Sequence, residues 1–231
     1  MKKFTLKAFK AVDNPEMCAR YIEGHVKVLK DYGITNITSN NSQWTQLSCV
    51  YCVTAEDETG EMVGGIRIQK ADGEHMLPVE RAVGYMDPRI YEIVQEFIDE
   101  GVGELCALWN SKDVAGMGLS LLLTRAGISI ANQVSVNIMM GICADYTMRM
   151  FRKVGFVVDD SLGTQGEFVY PNENYIARVL GILNARNLET AEEEDRIRML
   201  SLRDNPVQQV VETSNKGDEV SVQYQLLLET T

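Results

Sequence analysis

Phe4, Leu6 and Ala8 alternate with polar residues near the start of the chain. A period of two predicts a short first strand there. Asn14-Pro15 then reads as a helix start, with proline tolerated in the first turn. The helix carries Met17, Tyr21, Val28 and Leu29 and ends near Tyr32-Gly33. Residues 34–46 are polar and turn-rich, as a surface loop is. Residues 47–55 and 62–69 are apolar and flank Glu56-Asp57-Glu58-Thr59-Gly60, which predicts an antiparallel hairpin. Leu77-Pro78-Val79-Glu80 reads as a short stop, and Pro88 opens a helix to about Asp99. Ile90, Ile93, Val94 and Phe97 share one face of that helix.

The stretch that organises the rest is 103–133. It reads as an apolar strand (104–109), a polar turn (110–118) and a long apolar helix (119–133). A fifth strand follows over 133–141, so strand, helix and strand demand a parallel pair with a right-handed crossover. A short helix over 144–154 and two short strands, 156–159 and 167–170, come next. Periodicity leaves 175–182 open between strand and helix. Residues 189–203 predict a helix whose acidic start, 192–195, complements the helix dipole and caps it in solvent. Pro206 ends that helix, 214–218 is a loop, and Val220, Val222, Tyr224, Leu226 and Leu228 alternate as a last strand.

A chain of 231 residues permits one large domain. The division expected is a core over 1–170 and a C-terminal extension over 171–231 packed on the same domain. No apolar run is long enough to span a membrane, and the lysine-bearing N-terminus has no signal core, so a cytoplasmic location is expected. The net charge of −11 argues against a general nucleic-acid binder, which needs a basic surface. Five dispersed cysteines exclude a secreted disulfide framework, and Cys49 and Cys52 on a strand face opposite ways. They read as buried free thiols, and no His/Cys cluster has metal spacing, so no metal is expected.

Gly116 and Gly118 precede the central helix. Without Cβ atoms they let a ligand approach the backbone, and the helix's first N–H groups lack intrahelical partners. The turn is a phosphate cradle or ordinary turn chemistry. Trp44, alone in its polar loop, is a loop anchor or a pocket wall.

The order of elements over residues 4–160 resembles the GNAT superfamily of N-acyltransferases. Asp113-Val114-Ala115-Gly116-Met117-Gly118 matches that superfamily's glycine signature, with Asp113 where Arg or Gln is usual. Phe151-Arg152-Lys153-Val154-Gly155-Phe156 matches its Tyr-x-x-x-Gly-Phe, with Phe151 in place of Tyr. Gly64-Gly65-Ile66-Arg67-Ile68 with Leu77-Pro78, and Glu104-Leu105, resemble blocks of the acyl-homoserine-lactone (autoinducer) synthases and related N-acyl amino acid synthases. The Arg closing the second block is Ala107 here, and the branch's amino-terminal Trp and acidic pair are not recognisable.

The resemblance implies an α+β, three-layer fold with a mixed, mostly antiparallel sheet. Its parallel pair, about 102–109 and 134–141, splays apart, with helices on both sides. It implies acyl transfer from acyl-CoA or an acyl carrier protein to a small-molecule amine, such as an amino acid or lactone. The cofactor site falls on Leu108, Asp113, Val114, Ala115, Gly116, Met117, Gly118 and Leu119, with an unpaired donor near Leu108 for the oxyanion. Glu104, the only acid of the fourth strand, is the expected base or an exposed strand-end carboxylate. Arg67 is expected to bind an acceptor carboxylate or to pair with an acid such as Glu104. Tyr146 is a distant substitute for the missing tyrosine. Arg149, Arg152 and Lys153 form a basic stripe for an acidic carrier or a solvated face. An ordinary acetyl-CoA-dependent N-acetyltransferase and a GNAT-shaped protein that binds without catalysing are the alternatives.

Overall fold

The computed structural model describes residues 1–31, 33, 42–214 and 217–229. Among these, ten strands form one mixed sheet and six α-helices cover it. β1 (Lys2–Lys10) leads through a 3-10 turn into α1 (Pro15–Asp31). Asn14 caps α1, its Oδ1 accepting from the Met17 N–H at 3.2 Å, and Pro15 fills the first turn, where its missing N–H costs nothing. Cys18, Tyr21, His25 and Leu29 recur every three to four residues and bury one face.

β2 (Val50–Asp57) and β3 (Met62–Lys70) form the hairpin. Residues read as a stop are instead a short helix, α2 (Pro78–Val83). Pro78 starts it rather than ending a segment, and the Glu80 carboxylate accepts from the Leu77 N–H at 2.6 Å, closing the first turn. α3 (Arg89–Glu96) follows. β4 (Val102–Asn110), α4 (Leu119–Ile130) and β5 (Ile138–Ala144) make the central crossover. β5 begins five residues later than the apolar pattern suggests. The Val136 N–H donates to Ala131 O, and the Gln133 side chain donates to Leu226 O at 2.9 Å, so the helix exit is held as a turn.

α5 (Asp145–Lys153), β6 (Val157–Val158), β7 (Phe168–Val169) and β8 (Ile176–Ile182) complete the middle of the chain. The ambiguous 175–182 segment is thus a strand, paired along β5 from Met139 to Ala144. α6 (Glu193–Asp204), β9 (Val207–Thr213) and β10 (Glu219–Gln225) end the description. β9 escapes sequence reading because Gln208 and Gln209 interrupt its apolar alternation, and its exposed face carries Val207 and Val211 at the sheet edge.

The sheet order is β6-β8-β5-β4-β3-β2-β1-β10-β9, with β7 on β8. Only β4/β5 and β1/β10 are parallel. One face carries α4, α5 and α6 over a core that includes Leu105, Leu119, Leu123 and Phe151. The opposite face carries α1, with Tyr21, Trp44 and Trp109, and α2 and α3, with Leu77, Val79 and Ile90. The sheet is therefore the middle of three layers. Among the described residues no helix is long and apolar enough to cross a membrane.

Candidate active site

β4 and β5 pair at three positions only, Val102 with Ile138, Gly103 with Met139 and Glu104 with Met140. Beyond Glu104 the two strands part. β4 continues against β3, and β5 continues against β8. The gap opens a cavity of about 620 Å³ that passes between the strands. His25 and Pro78 line it from one face of the sheet, and Ser120, Thr147 and Phe151 from the other.

Opposite Ile66, β4 carries one residue too many. Gly65 pairs with Trp109 and Arg67 with Cys106, leaving Ala107 and Leu108 against a single partner. This is a β-bulge. Ala107 takes a φ of 51°, the left-handed region that costs a side-chain-bearing residue on the order of 1–3 kcal/mol. The Tyr21 hydroxyl, from α1, donates to the Ala107 carbonyl and holds it. Tyr21 is itself fully buried, edge-on to Trp44 and Trp109. Leu108 lines the cavity at the bulge. The sequence carries no sign of Tyr21's task, because the contact joins residues far apart in the chain.

Glu104 is the last residue before the strands part, and it lines the cavity. It is fully buried rather than an exposed strand end. Its Oε2 accepts from the Val79 N–H at 2.6 Å, and its Oε1 has no hydrogen-bond partner. Burial raises its pKa to about 8, against the lowering pull of the Val79 N–H and of Arg67. Glu80, buried nearby on α2, pushes in the same direction as burial.

Arg67 lies diagonally from Glu104, since it faces Cys106 while Glu104 faces Gln69. Among the described residues no ion pair within 4.0 Å joins the two. The guanidinium instead sits 4.3 Å from the centre of the Trp44 ring, a cation–π contact, and does not line the cavity. Trp44 is buried beside Tyr21 and outside the cavity lining, so it serves as an anchor. His25 does line the cavity, and burial, helped by Arg67, lowers its pKa to about 4, so the ring is neutral near pH 7.

The glycine turn runs from a 3-10 turn over Lys112–Val114 into α4. Gly116 and Gly118 have φ of 81° and 78°, which glycine adopts without the cost a Cβ brings. Val114, Ala115 and Met117 spend their N–H groups within the turn, on Ser111, Lys112 and Val114 carbonyls. Among the described residues, the N–H groups of Gly116, Gly118, Leu119 and Ser120 have no backbone acceptor, so the free donors lie toward the helix end of the expected 114–119 range and reach one residue beyond it. Asp113 is exposed, and Ser111 holds it through a 3.0 Å hydrogen bond. Ser120 and Asn110, joined at 2.5 Å, line the cavity on either side of this turn, whereas residues 111–119 are not part of its lining.

Phe151 is buried, edge-on to Phe156 at 5.2 Å, and brings no hydroxyl to the cavity. Tyr146 lines the cavity from the first turn of α5 and is 75% exposed, at the mouth. Arg149 and Arg152 are exposed on that helix, while Lys153 lies 3.8 Å from Glu192. Among the described residues no group of His, Cys, Asp and Glu is placed to hold a metal ion.

Solved structures align with this arrangement over most of the chain. An N-acyl amino acid synthase from uncultured soil microbes, FeeM, superposes with a TM-score of 0.62 at 12% identity, covering 85% of this chain and 99% of its own. The acyl-homoserine-lactone synthase LasI gives 0.56 at 14% identity, over 80% and 92%. A CoA-dependent acyl-homoserine lactone synthase, BjaI, solved with SAM and isopentyl-CoA, gives 0.55 at 13% identity, over 98% and 96%. The fold is that of the GNAT N-acyltransferases. The sheet is mixed and the middle of three layers, as the resemblance implies, and acyl-homoserine-lactone synthases are among the structures that share the fold. No protein-family model matches the sequence, and no curated protein does.

Proposed function

We propose that the protein is an N-acyltransferase that moves an acyl group from a thioester donor, acyl-CoA or an acyl carrier protein, to a small-molecule amine. The observation that carries this reading is the parting of β4 and β5 directly after Glu104, over a mainly apolar cavity. Acyl-CoA or the carrier's pantetheine arm lies in the gap, as a pseudo-strand between β4 and β5. The unspent N–H groups of Gly116, Gly118, Leu119 and Ser120 receive its phosphates, helped by the α4 dipole. That role is played by main chain, so the acidic Asp113 weakens the attraction without removing the cradle.

The ammonium of the acceptor gives one proton to the Glu104 carboxylate and becomes a nucleophilic amine. The nitrogen attacks the thioester carbon, and the carbonyl oxygen takes the negative charge. The Leu108 N–H, set by the bulge, stabilises that oxyanion, an effect worth about 3 kcal/mol per donor elsewhere. The C–S bond then breaks, and the departing thiolate takes the second proton from the new amide nitrogen. No hydroxyl at Phe151 is needed, since a thiol of pKa about 8.5 leaves readily as thiolate. Arg67 acts at a distance, its charge offsetting the burial of Glu104.

Residues 1–170 form the acyltransferase core in this reading, and 171–231 extend the same domain. The β8 ladder along β5 and the β10 ladder along β1 support one continuous unit. A plain acetyl-CoA-dependent enzyme is the second choice. Phe151 favours the remaining alternative, a GNAT-shaped binder. The deciding experiment combines purified protein with acyl-CoA donors of several lengths and a broad amine panel. Thiol release and acylated amine by mass spectrometry are expected. Absence of both with every donor, including acyl carrier protein, leaves the binder.

A further inference from the structure

Two buried carboxylates close on the first turn of α2. Glu104 Oε2 accepts from the Val79 N–H and Glu80 Oε2 from the Leu77 N–H, each at 2.6 Å. The two donors are two residues apart, so a strand carboxylate and a helix carboxylate share one turn. Gln69, the β3 residue facing Glu104, pins that turn to the sheet. Its side chain donates to Met76 O at 3.0 Å, and Arg81 donates to the same carbonyl at 2.7 Å. Glu80 is buried and Glu104 completely so. Glu104 Oε1 has no hydrogen-bond partner, so an ionised Glu104 leaves one buried oxygen bare.

We propose that Glu80 is a positioning residue for Glu104. It closes the turn that presents the Val79 N–H, and its own charge opposes ionisation of the carboxylate beside it. This rests on the acyl-transfer reading, in which Glu104 takes the acceptor's proton. Arg67 on β3 and Arg81 on α2 favour the ionised form of Glu104. The Cys106 and Cys143 thiols, on β4 and β5, are pushed up to about 12 and about 11 by burial and stay uncharged near pH 7. His25 on α1 is neutral there too, and the phenols of Tyr146, Tyr170 and Tyr175 line the same cavity. Glu80 is the one group among these that joins burial in opposing ionisation of Glu104. Burial raises Glu80 as well, but the Leu77 N–H and Arg81 favour its charged form. Glu80 therefore ionises first and Glu104 second, as a coupled pair.

The test uses the whole chain. Glu80→Gln keeps an oxygen for the Leu77 N–H and removes only the charge, whereas Glu80→Ala removes both. Carbon-13 NMR of labelled carboxyl carbons follows each ionisation without turnover, with Glu104→Gln and Glu80→Gln spectra assigning the signals. In the unaltered protein each of the two carbons should report the other's ionisation. Glu80→Gln should lower the Glu104 midpoint by ~1 pH unit, the order of one nearby like charge. The ascending limb of kcat/KM should move with it. Thiol release at pH 7 then rises roughly 5-fold, from the ionised fractions at midpoints of about 8 and about 7. A loosened structure does not give that gain. Glu80→Ala should show the same lowered midpoint with a smaller limiting rate, which glutamine at that position restores. Independent one-step titrations in the unaltered protein overturn the inference. So does a Glu104 midpoint that Glu80→Gln leaves in place, or one that moves while the rate profile does not. Coupled titration and a lowered midpoint with no thiol released from any donor uphold the pair and remove the acyl-transfer reading instead.

Discussion

A carboxylic acid with a pKa of about 8 is half-ionised just above neutrality, so Glu104 switches state in the range where an amine acylation would operate. Only the ionised form accepts a proton, so kcat/KM should rise with pH and level off above about 8. Glu104→Gln should lower turnover by at least ~10²-fold and remove that ascending limb. An unchanged rate profile in stopped-flow or thiol-release assays would exclude it as base. Tyr21 is the second residue to test. Tyr21→Phe removes the hydrogen bond to Ala107 and should cost about 1 kcal/mol in urea unfolding. If the bulge aims the Leu108 donor, kcat should fall by roughly 10-fold or more while KM changes little. Equal losses in both parameters would assign Tyr21 to binding. Glu104 stood out in the sequence because it is the one acid in an apolar strand. Tyr21 did not, since its meaning comes from a carbonyl 86 positions away.

At the level of elements, the glycine turn is the feature most open to a direct challenge. Gly116 adopts a φ of 81°, and its N–H is one of four there with no backbone acceptor among the described residues. Gly116→Arg should strain the backbone and fill the cradle, lowering CoA affinity by at least ~10-fold in calorimetry while α4 stays folded. Undiminished affinity would move the phosphates elsewhere. The strand–turn–helix unit was readable because turn glycines and an apolar helix are local signals. The ends of its neighbours were not. β5 starts at Ile138 because Gln133 is tied to the chain near Leu226, a constraint no window of local sequence contains. α2 was missed for a different reason, as one proline suits both a stop and a helix start.

Across the whole molecule, the C-terminal elements are clamped to the core by a buried ionic network. Arg125 on α4 donates to Asp195 on α6 at 2.6 Å and to Glu212 on β9 at 3.2 Å, and Arg198 reaches Glu212 at 3.0 Å. Arg125→Ala leaves the buried Asp195 without its guanidinium and Glu212 with Arg198 alone, and breaking a buried pair in this way costs about 3–5 kcal/mol. The denaturation midpoint should fall accordingly. A shift below ~1 kcal/mol would mean that water replaces the guanidinium. The three-layer plan was legible through the resemblance that the order of elements over residues 4–160 bears to the GNAT superfamily. The clamp was not, because its members lie 70 and 87 positions apart and each reads alone as an ordinary surface charge.

The pairing of β1 with β10 sets an order of events during synthesis. Lys2 to Lys7 find their second neighbour only in residues 220–225. A ribosome making this chain therefore releases its first strand with one flank raw, open to stray pairing until more than two hundred further residues have emerged. Slow translation of that interval, or a stop codon within it, would expose a sticky margin that chaperones must shield.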